Sequence, residues 1–332
     1  MGEKVSEFER AYADYVGSKY CVAVNSGSSA NLLMVAAMSL RQGVGTVIVP
    51  AIAWSTSYAP FQQYGWNLKV VDVDLNTLNY DIDALKAAYT GSELILAVNL
   101  LGNPNAFRDF PSMDVLEDNC ESMGANYAEM KTGRFGIMAS HSTYFSHHIC
   151  TMEGGLITTD DDFFYEMLLA LRSHGWTRHW AEDNHHGIKP SSYDFVYPGY
   201  NVRPTEIQGA IGLAQLKKLP NFLEERRNNA ARFRELASGM PWIIQREPEW
   251  GESSWFGFSI VTQSPEERIE LEHSFAQKGI EFRPIVGGNF FRSRQAIFYQ
   301  TIGDEEVKNA EQIHHCGLYI GNHHTPIDWS QF

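Results

Sequence analysis

Residues 20–40 decide the fold of this chain, and they read YCVAVNSGSSANLLMVAAMSL. The apolar run Tyr20–Val24 predicts a strand, and Ala30–Leu40 has the composition of a helix. Between them, Asn25–Ser29 is a turn of small residues. Such a turn at a helix start presents backbone N–H groups and the positive end of the helix dipole, which suits a phosphate group. A plain capping turn is the alternative, and the local pattern does not separate the two.

The rest of the first 175 residues continues this alternation of short apolar runs and helical segments. Such alternation is typical of βαβ units around a mostly parallel sheet, so the predicted class is α/β. After about residue 180 a long helical region follows, Thr205–Gly239 with a break near Pro220, and then a few strands and helices. We predict a large α/β domain over residues 1–180 and a smaller α+β domain over residues 181–332, linked by the long helix 205–239. The strands predicted for the large domain are Tyr20–Val24, Thr46–Val49, Leu68–Val73, Leu94–Leu100, Asp114–Glu117, Ser142–Phe145 and Gly155–Thr158.

Composition narrows the classes of protein to which the chain can belong. Its 332 residues include 26 basic and 40 acidic side chains, a formal net charge of −14. Nucleic acids and anionic membranes attract clustered Lys and Arg, so we expect neither as a partner. The four cysteines form no C-x-x-C pair, which disfavours a zinc knuckle. Met1–Tyr15 lacks the apolar core of a signal peptide and no apolar run could span a bilayer, so we expect a cytoplasmic protein.

Asp118 lies just past an apolar strand, in the segment LEDNCES at 116–122. A carboxylate there can pair with a cationic ring nitrogen or a metal ion, and its partner would keep it ionised. An Asp at this place is also a common helix N-cap. The motif alone leaves both interpretations open.

The segment Ser142–His148, STYFSHH, is followed by Glu153-Gly154-Gly155. Adjacent His residues at a strand end point to opposite faces, so at most one of them would face a given site. A metal site is disfavoured because H-E-x-x-H is absent and His pairs recur elsewhere in the chain. A general base is the other interpretation, because His titrates near neutrality.

A fourth motif, GYNVRPTE at 199–206, precedes the long helical region. Taken alone, it is a loop in which Thr205 or a neighbour caps that helix. Its Tyr, Asn and Arg side chains could also reach a phosphate or a carboxylate.

In this order, the four motifs resemble those of the sugar aminotransferases that use pyridoxal phosphate, a fold type I family acting on nucleotide-linked keto sugars. The resemblance runs from Glu7-Phe8-Glu9 to the stretch Gly317–His323, and its specificity lies in the combination of motifs. It implies a fold type I architecture, with a mostly parallel seven-stranded sheet flanked by helices and a small α+β C-terminal domain.

The resemblance also implies roles for individual residues. Those at the family's cofactor-binding positions are Gly27, Ser28 and Ser142 for the phosphate, Trp54 for stacking on the pyridine ring, and Asp118 for pairing with the ring nitrogen. The Asn of the G-Y-N-x-R motif, here Asn201, reaches the cofactor of the neighbouring subunit in that family. A homodimer with shared active sites is therefore expected.

The chain departs from the family at the catalytic lysine. The family's S-F-x-x-x-K-x-x-x-x-x-E-G-G segment supplies a Lys that forms a Schiff base and moves a proton, but here that position, six residues before Glu153, holds His147. An imidazole can move a proton and cannot form a stable imine. We expect a non-covalently held cofactor that favours pyridoxamine 5′-phosphate over pyridoxal 5′-phosphate.

The same Lys-to-His change marks a subgroup of the family, the nucleotide-sugar 3-dehydratases. It implies removal of the C3 hydroxyl of a 4-keto-6-deoxy hexose, with GDP-4-keto-6-deoxy-D-mannose as the expected substrate and L-glutamate as the amine donor, for 3,6-dideoxysugars of the colitose type. His147 and Asp118 would be catalytic, and Glu121 would orient a water or the base. His174 and Arg178 are candidate substrate contacts, or else simply a solvated helix end.

Other functions stay open beside this one. A related subgroup acts on CDP sugars with a four-Cys iron–sulfur cluster, which the wide spacing of the cysteines disfavours. The runner-up is a nucleotide-sugar 4-aminotransferase of the same family. A non-catalytic member and a metalloenzyme built on the His pairs are further alternatives. The chain is short at both ends relative to the family, which would reduce activity or be offset by a larger oligomer.

Overall fold

The computed structural model describes residues 1–191, 193–303 and 306–332, and its centre is a seven-stranded sheet. The strands are β1 (Tyr20–Val24), β2 (Thr46–Pro50), β3 (Asn67–Val71), β4 (Leu94–Val98), β5 (Val115–Asp118), β6 (Met138–Ser142) and β7 (Gly155–Thr159). Their order across the sheet is β1-β7-β6-β5-β4-β2-β3. Within the sheet only β7 runs against the other strands, so the predicted mostly parallel α/β sheet is confirmed.

Helices cover both faces of this sheet, which is why its strands are buried on both sides. Side chains alternate between the faces with a period of two. Val47 and Val49 pack with Leu33 on one face, whereas Ile48 packs with Ile95 on the other. The helices of this part are α1 (Glu3–Val16), α2 (Gly27–Gln42), α3 (Ser55–Tyr64), α4 (Ile82–Ala88) and α5 (Asp162–Arg172).

The second half of the chain contains a smaller antiparallel sheet. The predicted helical region 205–239 consists of two helices, and the predicted break near Pro220 is confirmed, since the first helix ends at Leu216 and the second begins at Leu219. The helices here are α6 (Glu206–Leu216), α7 (Leu219–Leu236), α8 (Pro265–Gln277) and α9 (Lys308–Cys316). The strands are β8 (Ile243–Ile244), β9 (Gly257–Val261), β10 (Phe282–Pro284) and β11 (Gly317–Gly321), in the order β8-β9-β11-β10. The domain boundary at residues 180 and 181 stays a prediction.

Short elements complete the fold. A three-stranded sheet joins Asn126–Tyr127, Met130–Lys131 and Gly251–Glu252. Single turns of 3-10 helix lie at Leu100–Gly102, Phe107–Asp109, Phe290–Arg292, Ala296–Phe298 and Trp329–Gln331. None of the helices in the described ranges is long and apolar enough to cross a membrane.

The strand predicted at Ser142–Phe145 is wrong, because the strand ends at Ser142. The aromatic residues Tyr144 and Phe145 suggested a strand, but they are 36% and 61% exposed. The N–H of Thr143 donates to the carbonyl of Gly154 at 3.0 Å, which closes residues 143–154 into a loop. His147 therefore lies in a turn rather than on a strand.

Candidate active site

The candidate site is a cavity of about 560 Å³ at the carboxyl ends of the central strands. Ligand sites in α/β sheets form at this edge. The smaller sheet closes the cavity from the other side with Phe256, Arg283 and Tyr319. Seven of the predicted site residues line it: Gly27, Ser28, Trp54, Asp118, Glu121, Ser142 and His147.

The start of α2 forms one wall of the cavity. Ser26 is the N-cap, and its hydroxyl accepts the N–H of Ser29 at 3.1 Å. The N–H groups of Gly27 and Ser28 belong to the first turn and have no acceptor within the helix. The hydroxyl of Ser28 lies 2.7 Å from that of Thr56, which also lines the cavity. This arrangement of N–H and O–H donors at a positive helix end suits a phosphate.

Two glycines bring this helix start against the sheet. A Cβ on Gly27 would lie 2.8 Å from Sγ of Cys120 and 2.9 Å from Cβ of Ser142. A Cβ on Gly155 would lie 2.3 Å from the carbonyl oxygen of Ser26. The Glu-Gly-Gly motif is therefore a packing requirement of the helix start.

Asp118 is the last residue of β5 and is 5% exposed. Its Oδ2 accepts hydrogen bonds from Nδ2 of Asn31 at 2.8 Å and from Oγ of Ser57 at 2.6 Å. Its Oδ1 accepts the N–H of Cys120 at 3.2 Å. These three donors fix the direction of the carboxylate.

The indole of Trp54 follows β2 and is 57% exposed, with a face on the cavity. Oδ1 of Asn31, beside Asp118, is buried and has no hydrogen-bond partner among the described residues. One cavity thus contains the aromatic face of Trp54, the carboxylate of Asp118, the buried Oδ1 of Asn31 and the phosphate-type donors at the start of α2. The set fits a flat, cationic, phosphorylated ring.

His147 lies in the loop 143–154, on the side that faces the smaller sheet. Its ring packs edge-on against those of Phe256 and Tyr144, with centroids 5.1 Å and 5.9 Å away. The pKa of His147 is lowered to about 4, mainly by burial and further by the Arg226 charge, whereas the Asp118 charge opposes this lowering. Its Nδ1 is buried and has no hydrogen-bond partner in the described part of the chain, which leaves Nε2 as the nitrogen available to a substrate. The side chain is therefore a neutral base at pH 7.

Glu121 is the second ionisable group beside Asp118. Its Oε2 accepts the N–H of Leu101 at 2.9 Å. Burial raises the pKa of Glu121 to about 7, and the Asp118 charge adds to that rise. A carboxyl group with this pKa can hold or release a proton near neutrality.

Three predicted site residues do not line the cavity of their own chain: Asn201, His174 and Arg178. Asn201 is exposed and bridges to Ser173. The rings of His174 and Trp176 meet edge-on with centroids 5.3 Å apart, and the Arg178 guanidinium lies 5.3 Å from the Trp176 ring centre. These residues form a patch outside the cavity.

The structure adds functional residues that sequence reasoning missed. Asn31 and Ser57 orient Asp118 from two helices, and Arg283 and Tyr319 come from the smaller sheet. Asn31 could have been found, because it falls one helical turn after Gly27 on the same face. Nothing local in the sequence marks the other three.

The site can be compared with those of known proteins. The model of the DegT/DnrJ/EryC1/StrS aminotransferase family matches residues 1–326. The GDP-4-keto-6-deoxy-D-mannose 3-dehydratase of Yersinia pseudotuberculosis is 50% identical over 350 residues, which cover 98% of this chain and 88% of that protein.

Two solved structures share the whole fold. One is a histidine-to-asparagine variant of GDP-4-keto-6-deoxymannose-3-dehydratase with bound GDP-perosamine, with a TM-score of 0.94, 46% identity, and coverage of 98% of this chain and 90% of that one. The other is a GDP-4-keto-6-deoxymannose-3-dehydratase with a trapped PLP-glutamate geminal diamine, with a TM-score of 0.93, 46% identity and the same coverage. On this evidence, the chain belongs to the DegT/DnrJ/EryC1/StrS aminotransferase family.

Proposed function

We propose that the chain is a GDP-4-keto-6-deoxy-D-mannose 3-dehydratase that removes the C3 hydroxyl of its sugar. The observation that carries this proposal is His147, an imidazole that enters a cavity with a complete set of phosphate-, ring- and carboxylate-type contacts. The Yersinia relative, 50% identical, is named for the same reaction.

The cofactor is pyridoxal 5′-phosphate, working as pyridoxamine 5′-phosphate. Gly27, Ser28 and Ser142 would hold its phosphate, Trp54 would stack on its ring, and Asp118 would pair with its ring nitrogen. When bound, it supplies an amino group for the C4 ketone of the sugar and a protonated ring that accepts electron density.

His147 is the proton carrier in this proposal. A neutral Nε2 can take a proton at the reaction centre, and burial makes the resulting imidazolium a stronger acid than usual. That acid can give its proton to the C3 hydroxyl, which leaves as water. Glu121, protonated in part at pH 7, can orient the water that later releases the product.

L-Glutamate is the proposed amine donor. A neighbour of this fold was solved with a PLP-glutamate adduct, and another with a bound GDP sugar. Arg283, at the cavity wall, has a side chain 64% exposed. Its fork of donors suits a carboxylate or a diphosphate.

We further propose a homodimer in which each chain completes the site of its partner. Asn201, His174 and Arg178 lie outside the cavity of their own chain, although the N–H of Asn25 donates to the Val202 carbonyl beside it at 3.0 Å. Exposed apolar side chains on the loop 143–154 and on the first turn of α6 offer a further contact surface: Phe145, Met152 and Ile207, at 61%, 67% and 71% exposure. A second copy would cover them and bring its own Asn201 toward the cofactor.

The decisive experiment combines the protein with pyridoxal phosphate, L-glutamate and GDP-4-keto-6-deoxy-D-mannose, and identifies the products by mass spectrometry. We expect a sugar lighter by one oxygen, with 2-oxoglutarate and ammonia formed in step. A stable 4-amino sugar would mean an aminotransferase and would overturn the role given to His147. The matched variant His147→Gln should bind the cofactor and form no deoxy sugar.

A further inference from the structure

A buried cation lies behind the cavity, on α7. Arg226 is 3% exposed, and among the described residues no carboxylate lies within ion-pair distance of it. Its guanidinium NH1 donates to three backbone carbonyls, those of Trp255 and Phe256 at 3.3 Å each and that of Asn322 at 3.1 Å. A buried charge without a counter-charge is costly, so it points to a task beyond packing.

The carbonyls that Arg226 holds belong to the wall behind His147. Nε2 of His148 donates to the preceding carbonyl, that of Ser254, at 3.1 Å. The ring of Phe256 then packs edge-on against the ring of His147, with centroids 5.1 Å apart. Three successive carbonyls of this segment, Ser254–Phe256, are therefore held by one guanidinium and one imidazole.

The same segment also reaches Glu121. The N–H of Phe256 donates to the carbonyl of Leu101 at 3.0 Å, and the N–H of Leu101 donates to Glu121 at 2.9 Å. A Cβ on Gly102 would lie 2.5 Å from the backbone nitrogen of Trp255, so the two backbones are in close contact. A displacement of Ser254–Phe256 would move both His147 and Glu121.

The charges that face His147 come from several elements. Asp118 on β5 favours the imidazolium, whereas Arg226 on α7 opposes it after burial. The other ionisable groups that line the cavity are Cys120, Tyr144, Glu153, Glu121, Arg283 and Tyr319. Arg226 lies behind this lining and is a buried cation that donates to backbone carbonyls.

We propose that Arg226 is a positioning residue for proton transfer: it holds the segment Ser254–Phe256 behind His147 and places a fixed positive charge near that imidazole. The inference rests on the proposed function only for the identity of the reaction. The position of the ring and the charge near it are properties of the folded chain.

The test measures the pKa of His147 by NMR in protein with ¹³C-labelled histidine, loaded with pyridoxamine phosphate, and His147→Asn assigns the signal. In Arg226→Met we expect the pKa to rise by about one unit, because a like charge has been removed. Arg226→Lys keeps the charge and should keep the low pKa. Its side chain is one bond shorter than the path to NH1 of Arg226, so the ammonium cannot hold the carbonyls in the same place, and kcat should fall about ten-fold with KM unchanged.

The matched control is Arg227→Met, the next residue of α7. Arg227 also donates to a backbone carbonyl of this region, that of Ser253 at 3.2 Å, but it pairs with Glu252 at 3.1 Å. The Arg227→Met variant should therefore have the same His147 pKa as wild type. An unchanged pKa in folded Arg226→Met overturns the proposal.

If Arg226→Met does not fold, Arg226→Lys decides, and a wild-type kcat there overturns the proposal. The kcat is measured for the dehydration and for the half-reaction with L-glutamate. The NMR measurement of the His147 pKa needs no turnover. A wild-type protein that is inactive on the GDP sugar would therefore refute the proposed function, and the NMR measurement would still test the role of Arg226.

Discussion

Nδ2 of Asn31 lies 2.8 Å from Oδ2 of Asp118, which joins α2 to the end of β5. Ser57 of α3 donates to the same oxygen at 2.6 Å. The helix that offers its N-terminus to a phosphate thus also holds the carboxylate meant for the ring nitrogen. One rigid element fixes the distance between the two ends of a cofactor.

Ser57→Ala should weaken binding of pyridoxamine phosphate. A hydrogen bond to a charged group is worth about 1.5–3 kcal/mol, so we expect the Kd to rise at least roughly ten-fold. Isothermal calorimetry measures it. The control is Ser55→Ala on the same helix, since the Ser55 hydroxyl makes no hydrogen bond among the described residues. If Ser57→Ala and Ser55→Ala bind pyridoxamine phosphate equally well, Asp118 is not the residue that pairs with the ring nitrogen.

Gly27→Ala should disturb the phosphate end of the site. The added Cβ would meet Cys120 and Ser142 below 3.0 Å, so the helix start must shift. We expect binding of pyridoxamine phosphate to weaken about ten-fold or more while binding of unphosphorylated pyridoxamine changes little. Gly45→Ala is the control, because a Cβ there meets Trp66 at an ordinary 3.8 Å. An unchanged preference for the phosphorylated compound in Gly27→Ala would place the phosphate elsewhere.

Glu121 should make stability fall with rising pH. Burial raises the pKa of its carboxyl from 4.5 to about 7 in the folded protein, so the folded state binds a proton more tightly than the unfolded state. This contribution is complete below pH 4.5 and is lost as the pH rises through about 7. Relative to wild type, Glu121→Gln should therefore gain roughly 2 kcal/mol between pH 5 and pH 8.

Urea unfolding of the cofactor-free protein at the two pH values measures this gain. Glu224→Gln, on the exposed face of α7, is the control and should follow wild type. Parallel pH curves for Glu121→Gln and wild type would show that the Glu121 carboxyl titrates normally and has no proton to offer at neutral pH.

Much of the fold and of the cofactor cradle was predictable because its signals are local. Gly27 and Ser28 follow an apolar strand directly, and Asp118 ends another. In an α/β sheet such strand ends converge on one edge, so residues far apart in sequence meet without any long-range knowledge.

The remaining features depend on packing that no local pattern encodes. Tyr144 and Phe145 are aromatic yet exposed, and they extended the predicted strand to Phe145, whereas the strand ends at Ser142. Arg226 sits in an ordinary helical sequence, and only the backbone carbonyls that it meets from residues 255–322 single it out. Burial of a charge is a property of the tertiary structure.

The proposed sharing of active sites between two chains can be tested by mixing variants. His147→Asn removes the proton carrier from one cavity, and Asn201→Ala removes a residue that would act in the other. After dissociation and reassembly in equal amounts, half of the dimers are mixed, and each has one intact site. We therefore expect about a quarter of wild-type dehydratase activity from two preparations of low activity.

The control mixes His147→Asn with Asp118→Asn, two changes in one chain's cavity. Both residues line the cavity of one chain, so each chain of a mixed dimer carries one damaged site, and activity should stay low whether or not Asn201 is shared. Recovery in the first mixture but not in this one would show that Asn201 acts in the partner's site. The double variant His147→Asn/Asn201→Ala mixed with wild type gives a second test. Shared sites leave its mixed dimers with both sites damaged, one by each change, so activity falls to about a quarter of wild type. Sites confined to one chain leave one site of each mixed dimer intact, and activity stays near half.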